Sequence, residues 1–477
     1  MTVTTTLSAE TGSVPRGKAA PGPRGHWLFG CFGPMKNDPL GFYQNVWKNY
    51  GDYVRIRAIP GFYFFMLTHP QAIEHILQKN YKNYRKPANL TKSVRLLTGE
   101  GLFLSEGDLW LRQRRLMQPA FHRHQLSNLS SLMVAGAEAF LRDRQAEEPG
   151  KPVDILKEMM QLALRIAGTT LFSTDITGDA DAIGTAYRTC FDYISYRMNT
   201  LFKLPAWFPT YRNRTFAQAK KLLDRVVLEL IEARRQSGEK RQDLLGMLLA
   251  AQDEETGLGM SDQQVKDEVL SLLTAGHETV GATLAWTWYL LGQHLEVQRD
   301  LYDEIRGRLQ GRSPTLDDLP HLPLTRAVFE EAMRLYPPAW GMPREAIHAD
   351  EIEGLPIPAK SFIFFCLYVT HRHPDFWPDP ERFKPERFLP AHAADRPKFA
   401  YFPFGGGPRV CIGNNFALME GPLVLATILQ QFRVELLPGQ LIVPDPTFTL
   451  RPKYGVKVAL WPRSTDPSPL IAGCPTA

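Results

Sequence analysis

The chain has 477 residues, about three domains at roughly 150 residues each, although one large fold is also compatible with that length. Apolar residues make up 44% and charged residues 22%, which excludes a mainly disordered chain, and 36 glycines with 38 prolines imply many turns and long loops. The formal charge of +5 is too small to indicate nucleic acid by itself, so any basic docking surface has to be local.

From the N-terminus, Met1–Gly25 is rich in Thr, Ser, Pro and Gly and has neither a signal-peptide pattern nor an apolar run of about 18 residues. It reads as a flexible leader on a soluble protein. Asp38-Pro39 opens a helix that ends at Gly51, with Asp as N-cap and Pro at the first helical position. Strands are expected at Tyr53–Ile59 and Phe62–Leu67 around Pro60-Gly61, and Thr68-His69-Pro70 starts another helix. From about Trp110 to Leu335 apolar residues recur at three and four, which reads as a long helical body. Strand-like runs return at Ser361–Thr370 and Gly455–Leu460. With no internal repeat and no clear linker, the expectation is a single, mainly α domain over residues 26–464 with a small β component, followed by a tail at 465–477.

The longest expected helix runs from Asp262 to about Leu291, with Ser261 and Gln264 as a capping box and Gly292 placed to end it. At 1.5 Å per residue it is roughly 45 Å long. Its middle, Ala275-Gly276-His277-Glu278-Thr279, sets a carboxylate and a hydroxyl in an otherwise apolar segment, where an unpaired polar group costs roughly 1–3 kcal/mol. A kinked core helix with Thr bonded to its own turn accounts for this, and so does a catalytic acid–alcohol pair.

Five cysteines, Cys31, Cys190, Cys366, Cys411 and Cys474, are widely spaced and form no C-x-x-C, which argues against a disulfide framework and for a reducing compartment. One of them stands apart. Phe404-Gly405-Gly406-Gly407-Pro408-Arg409-Val410-Cys411-Ile412-Gly413 precedes an apolar helical run from about Asn414, so Cys411 lies where free amides and the positive helix end favour thiolate. A lone thiolate on a tight loop serves as nucleophile, buried structural thiol or axial metal ligand.

This segment, F-x-x-G-x-x-x-C-x-G, resembles the haem-binding signature of cytochrome P450 enzymes. Four further segments resemble family motifs in the family's order: Trp110-Leu111-Arg112-Gln113-Arg114 (W-x-x-x-R), Ala275-Gly276-His277-Glu278-Thr279 (the oxygen-activating motif), Glu331-Ala332-Met333-Arg334 (E-x-x-R) and Pro385-Glu386-Arg387-Phe388 (P-E-R-F). The resemblance implies a haem-thiolate monooxygenase with heme b, the haem lying between the central helix and the cysteine loop with its following helix. Cys411 would be the axial ligand, with Arg409, Arg114, Trp110 and Arg344 toward the propionates and Phe404, Gly413 and Ala275 around the cofactor. Gly276, Glu278 and Thr279 would handle O2 and protons, and Glu331, Arg334 and Arg387 would form a structural triad.

Only 66 residues follow Cys411, too few for a fused flavin reductase, so a separate ferredoxin or flavodoxin with its NAD(P)H reductase is expected as electron donor. Arg112, Arg115, Arg123 and Lys398 are candidates for its docking surface. The substrate is expected to be apolar, a fatty acid or a neutral terpenoid-like molecule. Leu104, the central helix and Ala339-Trp340-Gly341-Met342 are apolar pocket contributors, while Phe62–Leu67 offers no cation for a carboxylate. Phe191, Tyr193, Tyr196, Phe202, Trp207, Phe208 and Tyr211 resemble the family's substrate-access cover. A cytoplasmic protein without a transmembrane segment is expected. A peroxide-using peroxygenase or isomerase on the same fold, and a non-catalytic carrier of haem or apolar ligands, are the alternatives.

Overall fold

The computed structural model describes residues 20–173, 180–200, 203–238, 243–252 and 257–463, with backbone alone at 123–126, 180 and 393. Most of the leader, the C-terminal tail with Cys474, Phe202 and the side chain of Arg123 lie outside the described residues. The fold is mainly helical with small sheets, and its contacts group into two compact units through which the chain passes more than once.

The first unit takes residues up to Ser93, Ala339–Arg382 and Asp395–Cys411. Its five-stranded sheet runs in the order Tyr53–Ile59, Phe62–Leu67, Phe362–Phe365, Met342–Ala346, Tyr84–Arg85. Phe65 pairs with Arg55 in the antiparallel hairpin and with Ile363 in a parallel ladder. Alternate side chains of this sheet enter two cores, Phe65, Leu67, Ile363 and Phe365 on one face and Phe64, Met66, Val54 and Ile56 on the other. Burial on both faces is why Phe64–Leu67 reads as a continuous apolar run instead of an alternating one, whereas Phe62 and Tyr63 before it are exposed. Asp38 caps Pro39–Tyr50 by accepting the Gly41 amide at 3.0 Å, and His69 caps Pro70–Glu74.

Ser361–Thr370 departs from the strand expected there. The ladder stops at Phe365, opposite Leu67 and Met342, where both neighbouring strands run out of partners. The chain then satisfies its backbone locally, Thr370 N–H donating to Cys366 O and His371 N–H to Leu367 O, and Leu367–Thr370 becomes a helical turn.

The second unit takes Val94–Pro338, Phe383–Ala394 and the chain from Ile412. Its axis is the helix Asp262–Gln293, packed along Ile155–Phe172. Gly281 permits that approach: a Cβ there would lie 2.8 Å from Met160 Sδ and 3.0 Å from Met160 Cα. Gly292 does not end this helix as expected. It lies inside it, where a Cβ would meet the Leu436 backbone at 3.3 Å, so the small residue serves packing, and the helix stops at His294. The helical body is interrupted by Pro152–Asp154, which pairs with the late strand Lys457–Pro462. That late strand begins two residues after the expected Gly455, which turns at φ +75° against the Asp154 carboxylate. Among the described residues no helix is long and apolar enough to cross a membrane.

On Pro323–Leu335 the three-residue spacing puts Glu331 and Arg334 on one face, and both are fully buried. Arg334 Nε donates to Glu331 Oε2 at 2.6 Å and Nη2 to Oε1 at 2.8 Å. The backbone N–H of Lys384 adds a bond to Oε1 at 2.8 Å, and Arg387 Nε approaches the same oxygen at 3.5 Å. A carboxylate with two cations and an amide around it is held in place, whereas removing one member of a buried pair leaves an uncompensated charge at a cost of about 3–5 kcal/mol. Glu331→Ala is expected to lose stability of that order in denaturant unfolding and to lose its haem. Unchanged unfolding and full haem content would remove the structural role.

Candidate active site

Cys411 ends a loop whose shape is set by close approaches. Phe399 and Phe402 anchor it in the sheet core, and Phe402 N–H donates to His371 Nε2 at 3.1 Å. Gly405 and Gly407 have φ of +73° and +65°, and a Cβ on Gly407 would lie 1.8 Å from Leu77 O, so no other residue fits there. The Cys411 amide donates to Phe404 O at 2.9 Å, which folds the segment back on itself, and Gly413 then starts the helix Asn414–Gln431. Cys411 is exposed, whereas Cys31, Cys190 and Cys366 are buried, and none of the four is in a disulfide. Burial pushes the Cys190 and Cys366 thiols up to about 12 and also raises that of Cys31, which leaves them inert.

The central helix is covered on nearly every side, but not at one turn. Ala275 is exposed and Gly276 and Thr279 are half-exposed, three positions on one face, while Thr274, His277 and Glu278 beside them are buried. Thr279 Oγ1 donates to Ala275 O at 2.6 Å, the bond to its own turn that the sequence allowed. Glu278 and Thr279 therefore do not face the same way. Glu278 Oε1 accepts the Thr449 hydroxyl at 2.7 Å, with Arg451 Nη1 at 3.7 Å, both from the hairpin Pro444–Pro446/Leu450–Pro452. Arg451 Nη2 also donates to Asp192 at 2.9 Å. Burial pushes the Glu278 carboxyl up to about 7, opposed by the Thr449 bond and by Arg451 and reinforced by Asp192. His277, whose ring lies tilted against Tyr187, is driven down to about 4 by burial and by Arg188.

Thr449, Arg451 and Asp192 had no motif in the sequence, because they reach Glu278 from more than 80 residues away. The same holds for Asp267 and Glu268. Asp267 accepts Glu100 N–H at 2.9 Å and Glu268 accepts Leu102 N–H at 2.8 Å, which fixes the segment before Leu104 against the central helix. Gly99 and Gly101 are the legible trace of that contact, since a Cβ at either would collide with Asp267 or Ser271.

Among the expected cations, Arg114 and the buried Trp110 lie one turn apart on Gly107–Met117. Arg344 sits in the strand Met342–Ala346 with Nη1 on Pro343 O at 2.8 Å, and Arg409 in the turn before Cys411. Arg112 donates to Leu258 O and Gly259 O at 3.0 and 3.1 Å, so it braces a loop instead of standing in solvent. Arg115 and Lys398 are exposed, Lys398 Nζ reaching Gln78 at 3.0 Å.

Residues 20–459 match the sequence profile of the family Cytochrome P450. The chain is 36% identical to cyclooctat-9-en-7-ol 5-monooxygenase of Streptomyces melanosporofaciens, over 90% of this chain and 95% of that protein. It is 34% identical to pentalenene oxygenase of Streptomyces avermitilis, over 86% and 90% of the two chains, and 32% identical to the chloroplastic carotene epsilon-monooxygenase of Arabidopsis thaliana, over 83% and 77%. An exposed cysteine on a glycine-tight loop, a helix uncovered at Ala275-Gly276 and these matches along nearly the whole chain agree, and the chain belongs to the cytochrome P450 family of haem-dependent monooxygenases.

Proposed function

We propose that this monooxygenase oxidises a neutral, terpenoid-like molecule, with heme b bound through the Cys411 thiolate and electrons delivered by a separate ferredoxin or flavodoxin and its NAD(P)H reductase. The observation that carries the reading is the exposure of Cys411 on a loop in which Gly407 leaves no room for a side chain, in contrast to the three buried, inert thiols. Such a sulfur would serve as the iron ligand, and Arg409, Arg344, Arg114 and Trp110 offer donors of the type that would hold propionates. Phe404 and Gly413 frame the ligand loop, and Ala275 and Gly276 offer a side-chain-poor surface of the kind a flat cofactor and a diatomic molecule need. When bound, haem supplies the oxidising chemistry, with two electrons and two protons converting O2 into one inserted oxygen atom and one water.

The neutral substrate is supported by the relatives' names, which denote an alkenol, an alkene and a carotene, and by Phe62–Leu67, which offers no cation for a carboxylate. The exposed Arg115 and Lys398 suit an acidic electron donor. Cytoplasmic residence fits the four described cysteines, all outside disulfides.

Glu278 and Thr279 divide the proton work. Thr279, half-exposed, orients a proton-donating water, and Glu278, with a pKa near 7, exchanges protons at working pH from the side of Thr449. Because the folded value lies above the ordinary 4.5, protonated Glu278 favours the fold at low pH, and that stabilisation is lost as pH rises through about 7.

Three outcomes follow from these assignments. Purified protein binds one haem whose CO difference spectrum has the red-shifted band of thiolate ligation, and Cys411→Ser abolishes it; retention of the band would sink the ligand assignment. Thr279→Ala keeps the CO band and substrate affinity but lowers product formed per NADPH, with product turnover falling roughly tenfold or more and hydrogen peroxide rising; unchanged coupling would make Thr279 a helix residue only. In infrared difference spectra against Glu278→Gln, the Glu278 carboxylic acid band titrates near pH 7, moves higher in Thr449→Val and Arg451→Gln, and moves lower in Asp192→Asn. Loss of the band by pH 5 would contradict the buried acid.

A further inference from the structure

Asp350, in the strand Asp350–Ile352 of the first unit, collects donors from a distant part of the chain. Its Oδ2 accepts the Tyr84 hydroxyl at 2.6 Å, His75 Nε2 at 2.8 Å and Asn80 Nδ2 at 3.0 Å, while Oδ1 accepts the Glu351 amide at 2.8 Å. Burial raises its pKa, but the bonds from Tyr84, His75, the Glu351 amide and Asn80 outweigh that and hold the carboxyl below its ordinary value. It is therefore ionised at working pH, and because a carboxylate only accepts, His75 carries a proton on Nε2.

Two of these donors bracket an irregular turn. After Pro70–Glu74 the chain widens into the π-helical turn His75–Lys79, which closes where Asn80 N–H donates to His75 O, five residues back, at 2.7 Å. Such single wide turns are rare and recur at functional sites. An α-helical register would pair each amide four residues back and rotate the intervening carbonyls. One of those carbonyls matters to the cysteine loop. A Cβ on Gly407 would collide with Leu77 O and lie 3.1 Å from Gln78 Cα, so the glycine is pressed against the turn. Gln78 Oε1 accepts Lys398 Nζ at 3.0 Å, and the Ile76 and Leu77 side chains share a core with Phe399 and Phe402. The turn is thus the seat of the loop, and Cys411 follows Gly407 by four residues.

We propose that Asp350 is a positioning residue for the Cys411 thiolate, acting through the π-helical turn His75–Lys79 on Gly407. The inference rests on Cys411 as the haem ligand. Asp350 bonds the first residue of the turn, the residue that closes it and Tyr84 beyond it, and the turn in its present register meets the loop. Removing the carboxylate takes the acceptor from the buried Tyr84 hydroxyl and from His75 and Asn80, and the cost falls on the register of the turn.

The test uses full-length, haem-loaded protein. In Asp350→Ala, amide hydrogen exchange over residues 75–80 speeds up roughly tenfold or more, and the ferrous CO complex loses its red-shifted thiolate band faster by a similar factor. In urea the thiolate band of this variant is lost well before the helical circular dichroism, with a wider gap between the two than in wild type. A role in stability alone moves both transitions together. His75→Gln, which keeps a donor toward Asp350, retains the band longer than His75→Leu, and Tyr84→Phe falls between wild type and Asp350→Ala. If Asp350→Ala does not fold, Asp350→Asn and Tyr84→Phe carry the same comparison. Unchanged exchange over residues 75–80, faster exchange with an unchanged thiolate band, or an unchanged gap between band and helix loss overturns the proposal. A wild type without the thiolate band overturns the ligand assignment of Cys411 itself, before any variant is compared.

Discussion

The second unit is organised by the burial of one helix. Asp262–Gln293 is covered around most of its circumference, and several polar side chains along it take a partner from another part of the chain or from their own turn, while Ser271 Oγ and His277 Nδ1 are buried without a hydrogen bond among the described residues. Asp267 and Glu268 take backbone amides of Glu100 and Leu102, Glu278 takes the Thr449 hydroxyl, and Trp286 gives its indole N–H to Leu450 O at 3.0 Å. Thr283 and Thr287 bond the carbonyls one turn back, at Thr279 and Thr283. These bonds place the segment before Leu104 and the hairpin that ends at Pro452 along the same helix. The covering stops in mid-helix at Ala275, Gly276 and Thr279, which share one face.

Two buried ion pairs in that unit show how the desolvation cost of buried charge is offset. Arg234 meets Asp243 with two bonds of 2.6 Å and gives a third to Phe172 O, and Asp243 also caps Leu244–Ala250 through the Gly246 amide. Glu331 and Arg334 follow the same rule, with the Lys384 amide taking the remaining lone pair. In both, the fork of the guanidinium matches the carboxylate and leftover bonding capacity goes to backbone. Glu420, buried in the middle of Asn414–Gln431, has no such cation among the described residues, and burial lifts its carboxyl well above the usual range.

Features set by near neighbours in the chain were legible in the sequence. The caps at Asp38 and Ser261, the hairpin around Gly61, the i, i+3 pairing of Glu331 with Arg334 and the position of Cys411 just before a helix each follow from a few adjacent residues. So did the family, because five short motifs kept their order across some 300 residues. Where the reading failed, at Gly292 and at Leu367–Thr370, local propensity was overruled by a distant strand, through the close packing of Leu436 in one case and the end of a ladder in the other.

The sequence by itself determined most of the element types, the presence of an acid and an alcohol in mid-helix and the lone cysteine on its glycine loop, since helical period, caps and positive-φ turns are properties of short segments. Only the tertiary structure decided that Glu278 turns to Thr449 and Arg451 while Thr279 turns to the uncovered side, and that Cys411 alone among the described cysteines is exposed. The physical reason is that direction, burial and the partner of a charge depend on which remote segment packs against each face, and nothing in the local sequence records the far half of such a contact.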